Sequence, residues 1–340
     1  LRDKLIAEGV TLRSQTDTEV VAHLLSKQMQ STPGLADALR EVCQILTGAF
    51  TLVVVHADTP DVVVAARRNS PLVVGRGDGE NFLASDVAAF IAHTRNAIEL
   101  GQDQIVEITP TSIEVTDFYG KPADFTEYEV TWDAAAAEKG GFDLFMLKEI
   151  AEQPKAVADT LLGRIDSSGK VTLADLGLDD AFLKTIDKII ITACGTAYHS
   201  GLIAKYAIEH WTRIPCEVEL ASEFRYRDPI LTPTTLVVAI SQSGETMDTL
   251  MAMRYAREQG AKVLAICNSN GSTIPRESDA VIYTHAGPEI AVASTKALLT
   301  QIIAVYLIGL HLGQVNGSLK DSEVHDLYKD LLELIQIHPR

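Results

Sequence analysis

Apolar residues recur at helical spacing near the start of the chain, at strand spacing after it, and in a strand-then-helix rhythm beyond about residue 178. The polar run Ser14-Gln15-Thr16-Asp17-Thr18-Glu19 precedes Val20, Val21, Leu24 and Leu25 at three- and four-residue intervals, which predicts a capped helix. A second helical face, formed by Leu35, Leu39, Val42, Cys43 and Leu46, ends near Gly48. The period then shortens. Segments 50–56, 62–67, 71–75 and 81–85 are short apolar or β-branched runs separated by turn residues, the pattern of antiparallel strands. Two helices before such a sheet predict a layered α+β domain. Gly75-Arg76-Gly77-Asp78-Gly79 is followed by no helical pattern, so it reads as a hairpin turn and not as a nucleotide loop.

From about 117 to 141 the chain turns polar, with Gly120, Pro122, the alanine run Ala134 to Ala137 and Gly140-Gly141, and this is the expected linker. A helix follows over about 145–162, with Met146, Ile150 and Val157 apolar and a kink or break at Pro154. Continuous apolar strands at 189–193, 236–240, 263–267 and 281–284 each precede a helical stretch, the last being 295–312. That alternation predicts a doubly wound α/β domain whose parallel sheet is covered on both faces. The expected organisation is a domain over 1–116, a linker with a helix over 117–177, the α/β domain over 178–320, and a further helix over 321–340.

Composition narrows the function. The 340 residues are 46% hydrophobic and 22% charged, with a formal net charge of −17, which argues against nucleic-acid or anionic-membrane partners. An anionic substrate would need a local site of backbone N–H groups and hydroxyls. Cys43, Cys194, Cys216 and Cys267 are scattered, without C-x-x-C or C/H metal spacing, so no metal or cofactor is expected and the thiols read as reduced, in a cytoplasmic protein. No uninterrupted apolar run has the length of a membrane span. The chain opens at Leu1, inside an apparent helix, and reads as a fragment.

In doubly wound sheets, ligands bind outside the carboxyl ends of the strands. After the strand at 236–240 come Ser241, Gln242, Ser243, Gly244, Glu245 and Thr246, then a helix: hydroxyls and unpaired N–H groups converge on a helix N-terminus, as a phosphate cradle requires. On this turn alone, Ser243 or Thr246 serving merely as a helix cap remains an open alternative. Cys194-Gly195-Thr196-Ala197 and Ala291-Val292-Ala293-Ser294-Thr295-Lys296 open two further helices in a similar manner, and three such turns define a pocket. His199, His210 and His285 sit singly beside element ends and receive no role.

These residues resemble the sugar isomerase (SIS) domain family, and more narrowly the isomerizing glutamine:fructose-6-phosphate aminotransferase family. The resemblance runs in order through SQTDTEVVAH from Ser14, SPLVVG from Ser70, NFLASD from Asn81, MLKEIAEQP from Met146, ACGT from Ala193, ELASEFRYR from Glu219, SQSGET from Ser241 and VASTKA from Val292. It implies a partial N-terminal-nucleophile glutaminase domain followed by a SIS domain. Ser241, Gln242, Ser243 and Thr246 would bind the phosphate of fructose 6-phosphate, while Cys194, Gly195, Thr196, Val292 and Ser294 would line the sugar site. Asp17 would hold the α-amino group of glutamine, its alternative being a helix-terminus aspartate. Ala197 departs from relatives that carry serine there, a loss of about 0.5–1.5 kcal/mol of hydrogen bonding. The resemblance also implies an amino-terminal cysteine nucleophile and a second SIS domain supplying the isomerising acid and base. Neither is in this chain, so it is expected to bind sugar phosphate without catalytic residues of its own, and to dimerise in the intact protein. A single-domain sugar-phosphate sensor is the alternative from the binding class. A stand-alone isomerase would need a Glu or His of this chain facing the pocket.

Overall fold

In the computed structural model, which describes residues 1–32, 34–130, 138–173 and 176–336 and side-chain surroundings through residue 332, the chain forms two units, Leu1–Ala134 and Ala135–Arg340. The alanine run Ala134 to Ala137 and the last four positions of the expected 321–340 helix lie outside the described residues.

The first unit begins with helices α1 (Arg2–Ala7), α2 (Asp17–Gln28) and α3 (Leu35–Ile45). Eight strands follow: β1 (Phe50–His56), β2 (Thr59–Arg68), β3 (Val73–Arg76), β4 (Asn81–Ala84), β5 (Asn96–Glu99), β6 (Gln104–Ile108), β7 (Ile113–Asp117) and β8 (Thr126–Glu129). They make two antiparallel sheets, ordered β1-β2-β6-β7 and β4-β3-β5-β8. The period-two pleat sorts the side chains: Val64, Ala66 and Ile105 pack under Leu39, Val42 and Cys43 of α3, whereas Ala65, Val106 and Ile108 meet Val74 and Ile98 of the other sheet. The layered α+β expectation is met, and residues 75–79 form the β3–β4 hairpin, with the Gly77 N–H donating to the Glu80 carbonyl at 2.9 Å. Strands β5 to β8 were not foreseen, being four or five residues long with charged or polar residues interspersed. Because β8 pairs with β5, the unit extends past residue 116 and takes in part of the expected linker.

The start of α2 is closed differently from the capping pattern. Thr16 occupies the cap position without a side-chain bond; instead the Glu19 carboxylate accepts the backbone N–H groups of Arg13 and Ser14 and the Ser14 hydroxyl, each at 2.6 Å. Those bonds, the Arg13 N–H foremost, bring the Glu19 carboxyl down to about 2.

The second unit opens with α4 (Phe145–Ala151) and α5 (Gln153–Leu161), separated where Pro154 enters the first turn of α5, as the sequence anticipates. Then follow α6 (Asp180–Leu183), β9 (Lys188–Ala193), α7 (Gly195–Thr212), β10 (Cys216–Leu220), α8 (Ala221–Phe224), β11 (Thr235–Ser241), α9 (Met247–Glu258), β12 (Lys262–Cys267), α10 (Thr273–Glu277), β13 (Ala280–Tyr283), α11 (Lys296–Val315) and α12 (Asp321–Gln336). The sheet is wholly parallel in the order β10-β9-β11-β12-β13. Ile189, Ile191, Val238 and Ile240 face α7 and α11, while Ile190, Val237 and Ala239 face α8 and α9, so both faces are covered. The unforeseen strand β10 lies at the sheet edge, where its alternating Glu217 and Glu219 are tolerated. α11 is long and apolar enough by composition to cross a membrane, but Ala304, Leu307, Ile308 and Leu310 are buried in the fold, which makes it a core helix. α4 inverts the expected pattern: Met146 and Ile150 are exposed, and Lys148 and Glu149 are buried.

Candidate functional site

Order β10-β9-β11-β12-β13 reverses direction between β9 and β11, so the loops leaving these two strands diverge to opposite faces and open a crevice at their carboxyl ends. The turn after β9 begins at Cys194 and β11 ends at Ser241, far apart in sequence yet on adjacent strands, with Ala193 registered against Ile240. A cavity of about 270 Å³ occupies the crevice. From the β9 side it is lined by Cys194, Gly195, Thr196 and Ala197, and from the β11 side by Ser241, Gln242, Ser243 and Thr246. Val292 and Ser294 complete the set anticipated for the sugar phosphate, so all nine of those residues share one cavity.

The 241–246 turn is internally braced. The Gly244 N–H donates to the Ser241 hydroxyl at 3.0 Å, which also hydrogen-bonds the Thr246 hydroxyl at 3.0 Å. The Glu245 N–H donates to Ser243 Oγ at 3.2 Å, and the Glu245 carboxylate accepts both the N–H and the hydroxyl of Thr273, tying the turn to α10. Gly244 has φ +68°, and a Cβ there would overlap the Ser272 hydroxyl, so only glycine fits. Neither Ser243 nor Thr246 caps α9 by its side chain, and α7 likewise has no side-chain cap. Two helix N-termini therefore present their first-turn N–H groups at the cavity.

The third turn differs from the sequence expectation that it resembles the other two. The N-terminus of α11 is already occupied by Glu289, whose Oε1 accepts the N–H groups of Thr295 (2.8 Å) and Ala297 (3.2 Å) and whose Oε2 accepts the Ser294 hydroxyl (2.7 Å). Glu289 also lines the cavity. The cavity thus has polarity: uncapped helix dipoles and hydroxyls at the α7 and α9 end suit an anion, and a carboxylate at the α11 end repels one.

Residues 182–310 match the SIS domain, and residues 1–92 the glutamine amidotransferase domain. The chain is 69% identical over 97% of its length to the isomerizing glutamine–fructose-6-phosphate aminotransferase of Streptomyces coelicolor, and 60% identical over 97% to that of Corynebacterium diphtheriae. The chain belongs to this aminotransferase family. It spans about half the length of these curated relatives, 54% and 53% respectively. A solved C-terminal domain of glucosamine-fructose-6-phosphate aminotransferase from Francisella tularensis superposes with a TM-score of 0.56 at 40% identity, over 59% of this chain and 56% of that one.

Within this aminotransferase family member the cavity falls inside the SIS segment, and α4 and α5 lie outside both matched segments. Sequence reading missed Glu289 and Gln301. Glu289 precedes its helix by too many residues for a capping pattern to expose it, and Gln301 sits in an apolar helix as a buried residue would. Gln301 lines the cavity at 2% exposure, and its side-chain oxygen accepts no hydrogen bond among the described residues. Burial raises the Cys194 thiol above its ordinary value, which disfavours the thiolate a nucleophile would need. Asp17 stands exposed at the first position of α2 in the other unit, where the Thr18 hydroxyl reaches it at 3.5 Å.

Proposed function

We propose that the SIS segment binds fructose 6-phosphate, and that the chain is the part of an isomerizing glutamine–fructose-6-phosphate aminotransferase that carries this site. The observation that supports the reading most directly is the polarity of the cavity. The phosphate fits the end where α7 and α9 present uncapped N-termini beside Ser241, Ser243, Thr246 and Thr196; the sugar hydroxyls, which can donate, extend toward Ser294 and Glu289. In the whole enzyme, ammonia from glutamine would add to the C2 ketone of this sugar and proton transfer between C1 and C2 would give glucosamine 6-phosphate. Asp17 is proposed to hold the α-amino group of glutamine in the amidotransferase segment. The reading includes a cytoplasmic homodimer. Titration calorimetry tests it: fructose 6-phosphate should bind saturably to the 340-residue chain and weaken with Ser243→Ala or Thr246→Ala, while no heat of binding would refute the site.

The isomerase reading gains one specific observation, since Glu289 faces the cavity. Both its oxygens are engaged in holding Ser294, Thr295 and Ala297, which favours a scaffold role over proton transfer. Incubation with fructose 6-phosphate alone should therefore yield no aldose 6-phosphate. Its appearance at a rate abolished by Glu289→Gln would establish the isomerase.

A further inference from the structure

The wall of the cavity nearest α11 belongs to a long irregular loop between Tyr283, where β13 ends, and Lys296, where α11 begins. A connection of this length has no ladder to order it, so it must be held by side chains. Its first part is held by Asn268, whose Oδ1 accepts the Thr284 hydroxyl and the Ala286 N–H and whose amide donates to the Gly287 carbonyl, and by Thr160, whose hydroxyl accepts the His285 N–H. Its last part is held by Glu289. Between them, the N–H groups of Ile290 and Ala291 both donate to one oxygen of Glu149, at 2.7 and 3.2 Å.

Glu149 comes from α4, more than 140 residues earlier and outside the SIS match. It is 2% exposed, and its other oxygen is buried without a hydrogen bond among the described residues. Burying a carboxylate in that way is unfavourable unless the bonds it does make are required. The inversion of α4 has the same explanation: the helix turns Glu149 inward toward the loop and leaves Met146 and Ile150 outside. One residue beyond α4, Glu152 pairs with Lys296 at 2.6 Å, which anchors the start of α11 to the same segment.

We infer that Glu149 is a positioning residue for the candidate site: it fixes the Ile290-Ala291 backbone so that Val292 and Ser294 stand at the cavity mouth, and the α4 segment is therefore a working part of the sugar-phosphate site. What the wall contacts rests on the fructose 6-phosphate reading; the clamp itself does not.

Residue-resolved hydrogen exchange and calorimetry on the full 340-residue chain test this together. In the parent protein the amides of Ile290 and Ala291 should exchange at least about tenfold more slowly than those of Val292 and Ala293, and fast exchange of both would overturn the clamp with no variant needed. Glu149→Leu should release both amides while leaving the 241–246 turn protected, and should weaken fructose 6-phosphate binding about tenfold with little change for inorganic phosphate. Glu149→Gln keeps an acceptor oxygen and should restore slow exchange and affinity. Unchanged exchange at 290 and 291 in a folded Glu149→Leu protein, or equal loosening throughout the unit in both variants, would refute the inference. If the parent chain fails to bind fructose 6-phosphate, the functional reading falls, while the exchange data still decide the clamp.

Discussion

Ser241 and Ser243 lie two residues apart in the same turn, yet their environments assign them different work, and alanine substitution at each should separate the two. Ser241 is 2% exposed; its hydroxyl accepts the buried Gly244 N–H and bonds the Thr246 hydroxyl. Ser241→Ala strands that N–H, at about 1–3 kcal/mol for an unsatisfied buried donor. For a unit of this size that lowers Tm by roughly 3–10 °C. Ser243 is half-buried, and among the described residues its hydroxyl accepts only the Glu245 N–H, so its proton remains available to a ligand. Ser243→Ala should change stability by no more than about 0.5 kcal/mol. Losing one hydrogen bond to a charged phosphate, about 1.5–3 kcal/mol, should weaken fructose 6-phosphate roughly 10- to 100-fold. Thermal unfolding without ligand and calorimetry with it measure the two quantities on the same samples. A Ser241→Ala protein that melts with the parent, or a Ser243→Ala protein that binds like it, would show that the hydrogen bonds of this turn do not divide in this way.

Gly244→Ala combines an unfavourable positive φ with overlap at Ser272, and should cost about 1–3 kcal/mol in urea unfolding; a parent-like midpoint would contradict the close approach. Glu19 has its folded-state pKa lowered, so its contribution is present above the unfolded value of about 4.3 and is lost as pH falls toward about 2. Glu19→Gln should accordingly destabilise the chain near neutrality, and the gap in urea midpoint between parent and variant should narrow below the unfolded value and close only as pH approaches about 2. A gap that stays constant with pH would refute that assignment. Cys194 should react slowly with iodoacetamide at pH 7 and speed up only above the ordinary thiol range near about 8.5, because burial raises its pKa and the thiolate is the attacking form. Fructose 6-phosphate should slow it further, and rapid alkylation at pH 7 would contradict the raised pKa of this half-buried thiol.

The chemistry of individual turns was legible in the sequence because it is local. A short, β-branched run such as Leu236-Val237-Val238-Ala239-Ile240 reads as a doubly covered strand, and hydroxyl-rich residues directly before a helix present N–H groups wherever the helix is placed. The alternating faces of α3 and β1 follow equally from spacing. What required the tertiary structure is everything that depends on partners far along the chain. Strand β10 reads as polar because it is an edge, and being an edge is a property of the sheet order rather than of Cys216 to Leu220. Apposition of the Cys194 and Ser241 turns is set by β9 pairing with β11, which no local pattern encodes. The third turn looked like the others in sequence, yet the Glu289 carboxylate reaches across six residues to close it and thereby gives the cavity its two unlike ends. Glu149 is the extreme case: on a helix whose apolar residues point outward, a charged side chain is buried because two backbone amides over 140 residues away need an acceptor. Hydrophobic periodicity reports what a segment hides from water. It cannot report which distant polar group will satisfy it, and the shape of this site was decided by such pairings.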